Sequence, residues 1–173
     1  MRDYKHILIT ILLLIVQVLF CNYLHLSQFV VLSILPVMAL FIPIRISTIK
    51  ALIYAFVAGL LVDLLADGVL GLNILALVAT TYARRGIIRL VFGEEVFARK
   101  EDISIARQGW LKISLALLMA ETIFFVLYVW ADGAGTRPMW FGLARFFASM
   151  AASFIVSIPV AELLSPDRPE KKW

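Results

Sequence analysis

The sequence predicts an all-α integral membrane protein: six transmembrane helices in one bundle, with both termini on the cytoplasmic side. Three observations predict it. Hydrophobic residues make up 62% of the chain and charged residues only 16%, against about 45–50% and about 25% in a soluble domain. A globule of 173 residues cannot hide that much apolar side chain, and the mean hydropathy of +0.96 agrees. Apolar runs recur between short polar connections. Finally, the cations gather at the ends of those runs, on one side of the membrane.

The first span covers residues 7–23 and is interrupted by Gln17. Arg2 and Lys5 before it imitate a signal peptide, but no small-x-small cleavage site follows. Cys21 comes after bulky Leu19 and Phe20, where a lipoprotein signal needs small residues, so the segment is read as a retained span. The second span, residues 29–44, contains Pro36 and Pro43. It is shorter than the ~20 residues of a straight crossing and is expected to kink or to thin the bilayer.

The third span, residues 49–66, organises the rest. In a helix Ala51, Ala55, Gly59 and Asp63 recur every four residues and share one face. Small side chains there admit a neighbouring helix, and Asp63 then faces protein or a wet cavity rather than acyl chains. Asp67, Gly68 and Gly71 supply turn chemistry, which predicts a tight hairpin into the fourth span, residues 70–88.

Residues 84–109 form the one sizeable loop. Ile88 and Phe92 share a face with Arg85 and Arg89 alongside, a pattern that suits a short helix lying at the interface among anionic headgroups. The remainder is read as solvated, with a docking surface for a cytoplasmic partner as the alternative. The fifth span is residues 110–130. The sixth is residues 141–164, with small residues Ala144, Ala148, Ala151, Ala152 and Ser153, and with Pro159. Tyr23, Trp110, Trp130 and Trp140 stand at span ends, as headgroup-zone anchors do.

Of the sixteen Lys and Arg residues, fourteen fall on the side of the termini and the long loop. Only Arg137 and Arg145 fall on the other. Cationic loops resist translocation, so the crowded side is cytoplasmic. An even number of spans is what that arrangement requires.

Polar groups inside the spans are few: Gln17, Asp63, Asn73, Glu121 and Arg145. A carboxylate near a span centre, as at Glu121, disfavours insertion by about 2.5–3.5 kcal/mol. The eleven Leu, Ile, Val and Phe residues of the fifth span contribute on the order of −3 to −7 kcal/mol. The span inserts, with Glu121 facing other helices. These five residues are expected to form an outer-leaflet polar cluster in which Arg145 pairs with Asp63 or Glu121. The alternative is that Arg145 snorkels to the headgroups and Glu121 is protonated.

No catalytic constellation is legible, so no enzyme is expected. Gly59-Leu60-Leu61-Val62-Asp63 lacks the Gly-x-Gly-Asp run of an intramembrane aspartyl protease. Asp67-Gly68 is a whole span away from Ala83-Arg84, unlike a headgroup transferase. His6 and His25 fall on opposite sides and cannot share a metal. Cys21 is the only cysteine, which excludes an internal disulfide and a thiolate metal site. There is no phosphate-cradling glycine loop, so no cofactor is expected. The net charge of +4 follows membrane topology and not nucleic acid.

Gly59-Leu60-Leu61-Val62-Asp63, followed by Gly68-Val69-Leu70-Gly71-Leu72-Asn73 within six spans, resembles the MreD family of bacterial rod shape-determining proteins. That family carries Gly-x-x-x-Asp in its third span and a Leu-Gly turn into the fourth. Ile15-Val16-Gln17-Val18-Leu19-Phe20 also looks like its first span. The loop end Ile105-Ala106-Arg107-Gln108-Gly109-Trp110 is similar to the Bacteroidetes branch. The resemblance implies a non-enzymatic subunit of the cell-elongation machinery in the bacterial cytoplasmic membrane. Such a subunit binds MreC and works with MreB, RodA and a class B penicillin-binding protein in side-wall peptidoglycan synthesis. Gly59, Asp63, Gly68 and Gly71 are then candidates for helix or partner contact, the rival being that they pack the chain against itself. The main alternative is the substrate-binding subunit of an energy-coupling-factor vitamin transporter, with its ligand at the five-residue polar cluster. A headgroup-handling enzyme is a third and weaker reading.

Overall fold

A computed structural model of the protein describes residues 2–23, 30–67, 69–98, 102–133 and 137–165, the side chains of residues 2–7, 67 and 98 excepted. Helix α1 is Arg2–Tyr23, α2 is Leu35–Leu40, and α3 is Thr48–Val62, continued by a π-helical turn over Asp63–Asp67. Helix α4 is Leu72–Phe92, followed by the short α5 (Glu95–Ala98) and α6 (Ile105–Gln108). The long helices α7 (Trp110–Gly133) and α8 (Met139–Leu164) complete the fold.

Among the described residues, three stretches are long and apolar enough to cross a bilayer: Thr48–Ala66, Trp110–Gly133 and Met139–Leu164, with mean hydropathies of 2.1, 2.0 and 1.8. At most 44% of any of them is buried. Most of the rest is half-buried or exposed apolar side chain, an arrangement suited to lipid and costly in water. Helix α1 presents Leu8, Ile11, Leu12, Ile15 and Leu19 outward in the same way. The protein is a helical membrane protein.

Helix α7 is central. Ile113, Ala116, Leu117, Ala120, Glu121, Phe124, Phe125 and Tyr128 are buried, a three-and-four spacing that forms one stripe. Phe124 meets Phe125 edge-on at 5.4 Å and stacks on Tyr128 at 6.0 Å. Helices α3 and α4 run antiparallel through the hairpin, as do α7 and α8. Helices α1 and α3 run parallel. Asn22 Nδ2 donates to Leu65 O at 3.0 Å at their far ends, while Thr10 and Tyr54 line one groove near their starts. The chain between them must therefore return the length of the bundle.

That return corrects the expectation of a helix over residues 29–44. Residues 31–34 are irregular, and of the described residues 30–44 only the six of α2 are helical. Pro36 explains where the helix starts: in a longer helix its missing N–H would have to bond Leu32 O, and its ring would clash there. At the second position of α2 it is tolerated, because that N–H would have no partner anyway. All six residues of α2 are buried, as are Ser33 and Ile34 before it, with Val31 and Leu32 half-buried, so the irregular backbone is largely covered by protein, as non-helical backbone within a membrane must be.

The fourth span also differs. Helix α4 runs unbroken to Phe92, so the expected interfacial helix over 85–92 is its last two turns. Ile87 and Ile88 are buried against the core, at 3% and 0% exposed. The packing available to both isoleucines keeps the helix going. Tyr23, Trp130 and Trp140 are exposed at helix ends.

Candidate functional site

Asp63 is fully buried where α3 gives way to the π-helical turn. Helix α4 begins there with four backbone N–H groups that no intrahelical carbonyl can take. Its first residue is preceded by Gly71 at φ 107°, which has no side chain to cap them. Asp63 supplies the cap from the preceding helix. Its Oδ2 accepts from Gly71 N at 2.8 Å and Ile74 N at 3.4 Å. Its Oδ1 accepts from Asn73 N and Asn73 Nδ2, both at 2.9 Å. A carboxylate at a helix N-terminus is favoured by the peptide dipoles as well as by these bonds.

Gly59 lies one turn earlier on the same face. A Cβ built there would stand 2.8 Å from Ile74 Cα and 2.9 Å from Ile74 N, which is backbone and cannot swing away. Gly59 thus sets how near α3 comes to α4, and Asp63 sets their register. Ala51 and Ala55 continue the buried face. The contacts that Gly59, Asp63 and Gly71 make are made within the chain. Gly68 lies outside the described residues.

The irregular segment before α2 has its own polar support. Gln17, 1% exposed, donates from Nε2 to Leu32 O at 3.1 Å and accepts from Ile34 N at its Oε1 at 2.7 Å. Its amide thus stands in for the peptide group that a helix or strand would provide, and it takes the carbonyl that Pro36 leaves unbonded. From the other side, Ser149 Oγ accepts from Val31 N at 2.8 Å and Ser153 Oγ from Ser33 N at 2.9 Å. Ser149, Ser153 and Ser157 are all 0% exposed. Their four-residue spacing in an apolar helix is the signal in the sequence that marks this buried polar row.

Ser157 Oγ donates to Glu121 Oε1 at 2.8 Å, while Glu121 Oε2 is buried with no hydrogen-bond partner among the described residues. Arg145 pairs with neither Glu121 nor Asp63, which corrects that expectation. Its guanidinium binds Asp132 Oδ2 across the α7–α8 hairpin, where Arg137 also approaches the same oxygen at 3.5 Å. Asp132 is thirteen residues away in sequence and close because the helices fold back on each other. The hydrogen bonds of the five residues expected to cluster fall into four sets: Asp63 with Asn73, Gln17 with the 31–34 segment, Glu121 with Ser157, and Arg145 with Asp132.

At the opposite end of α4, Arg84 is 4% exposed. Its Nε donates to Leu40 O at 3.0 Å and its Nη2 to Ile42 O, closing the C-terminal end of α2 where carbonyls lack intrahelical partners. Asp102 Oδ1 accepts from Ile44 N at 3.0 Å. Ser165 Oγ accepts from Ile105 N at 3.0 Å, so part of the long loop is fastened to the bundle.

Each of these groups binds backbone or side chains of the same chain, and what the arrangement does chemically is to hold a broken segment and a close helix pair in place. No protein-family model, curated protein or solved structure matches the chain.

Proposed function

We propose that this chain is a non-enzymatic subunit of a bacterial cell-elongation machinery, of the kind the MreD resemblance implies. In this reading it crosses the cytoplasmic membrane six times, residues 30–47 forming a broken second crossing and both termini lying in the cytoplasm. It binds MreC and supports side-wall peptidoglycan synthesis alongside MreB, RodA and a class B penicillin-binding protein. The observation that carries the reading is the joint between Asp63 and Gly71, Asn73 and Ile74. Gly59, Asp63, Gly71 and Asn73, which bear part of the resemblance, build the α3–α4 hairpin, which gives that part of the motif a physical reason to exist in a scaffold protein.

The transporter reading is the rival; that Gln17, Asp63, Glu121 and Arg145 take separate hydrogen-bond partners among the described residues supports the scaffold reading over it. Co-isolation tests the proposal. Tagged full-length chain, expressed with MreC and extracted in mild detergent, is expected to bring down MreC in near-equal amount. Recovery of the chain with a stoichiometric vitamin and no MreC would reject it. Gly59→Leu is a poor probe of partner contact, because it first forces α3 from α4.

A further inference from the structure

We propose that the chain binds the phosphate of an anionic phospholipid headgroup in a pocket formed by Arg45, Arg85 and Arg89. These arginines come from separate parts of the sequence. Arg45 lies in the connection from α2 to α3. Arg85 and Arg89 stand four residues apart, and so on one face, in the last turns of α4. Together with Ile44 and Phe97 they line one concavity of about 460 Å³, a size in the range of small-ligand sites.

The charges are available to a ligand. Arg45 and Arg85 are exposed, and neither has a hydrogen-bond or ion-pair partner among the described residues. Arg89 makes only a long, exposed ion pair with Glu94, Nε to Oε1 at 3.8 Å. It also lies over the Phe97 ring at 5.7 Å, which fixes one wall. Asp102 is engaged by Ile44 N and lies beside buried Arg84. Three arginines thus line one concavity, with the exposed carboxylates of Glu94 and Glu95 in the segment that supplies Phe97.

The depth suits a headgroup. Arg85 and Arg89 are thirteen and seventeen residues beyond Leu72, roughly 20 and 25 Å along α4 at helical rise. They therefore sit about two-thirds and five-sixths of a ~30 Å hydrocarbon core from the start of α4, near enough for long arginine side chains to reach the headgroups. Guanidinium groups match phosphate oxygens with paired hydrogen bonds. Apolar Ile44 and Phe97 offer a surface to the glycerol and upper acyl chain. Basic pockets between membrane helices hold anionic headgroups for these reasons. Spread along one flat surface, the same cations would serve topology alone.

Native mass spectrometry of the detergent-purified full chain tests this, with phosphatidylglycerol, cardiolipin, phosphatidylcholine and inorganic phosphate as probes. Phosphatidylglycerol or cardiolipin should be retained about tenfold better than phosphatidylcholine. Arg45→Gln with Arg85→Gln should remove that preference, and Arg45→Lys with Arg85→Lys should keep most of it. Lys50→Gln with Lys112→Gln, equal in charge but outside the pocket, should leave it unchanged. Equal loss in the lysine pair would overturn the proposal, as would undiminished binding in the arginine pair. Displacement of lipid by millimolar inorganic phosphate would assign the pocket to a soluble ion and overturn the lipid assignment.

Discussion

Gly59 and Ile74 touch backbone to backbone: a methyl group on Gly59 would stand 2.8 Å from Ile74 Cα. Gly59→Ala must therefore push α3 from α4 and strain the four bonds that Asp63 makes. The expected cost is about 1–3 kcal/mol, seen as a lower midpoint of thermal unfolding in detergent. Gly86→Ala, where a Cβ meets nothing within 4 Å, should cost nothing measurable. Equal midpoints for the two variants would show that the close approach is not rigid.

Asp63→Ala leaves half-buried Gly71 N and buried Asn73 N without their acceptor, at about 2–3 kcal/mol. Asp63→Asn should recover little, since it has one acceptor oxygen and turns an NH₂ toward N–H donors. Thermal unfolding of the pair checks this. If Asn restores full stability, the cap does not need two accepting oxygens.

Gln17→Leu keeps the bulk and removes the amide, leaving Leu32 O and Ile34 N unbonded inside the bundle. A loss of about 1–3 kcal/mol is expected. Ser149→Ala with Ser153→Ala attacks the same segment from α8. Since both changes free one stretch of backbone, the triple variant should lose less than the two effects added. Strict additivity, from unfolding midpoints of the four proteins, would mean the segment has no shared support.

Charge reversal tests the hairpin pair. Arg145→Asp and Asp132→Arg should each lower stability, and their combination should restore part of it. The side chains are 12% and 20% exposed, and Arg137 competes for the same oxygen, so the recovery should be no more than about 1 kcal/mol. Arg145→Asp combined with Glu121→Arg should recover nothing. Recovery in that second pair alone would restore the partner expected from sequence.

Crossing number is open to labelling. In a Cys21→Ser background, Gly133→Cys should react with an impermeant maleimide added to intact cells, and Glu94→Cys only after permeabilisation. Reaction of both from outside would break the six-crossing arrangement.

Composition and periodicity by themselves determined the helical membrane class, the long third, fifth and sixth helices, and the buried face of Ala51, Ala55, Gly59 and Asp63. Those features are local, because apolar length and small-residue spacing read the same in any partner context. Tertiary structure alone decided who bonds whom. The second span looked like a helix because its residues are apolar, yet Pro36 denies Leu32 O an intrahelical donor, and only the fold brings in Gln17 and α8 to satisfy the segment. Charge and depth suggested that Arg145 would seek Asp63 or Glu121, but the α7–α8 hairpin delivers Asp132 first. Buried polar groups bond to the nearest donor or acceptor the packing supplies, and which one is nearest is a property of the assembled bundle.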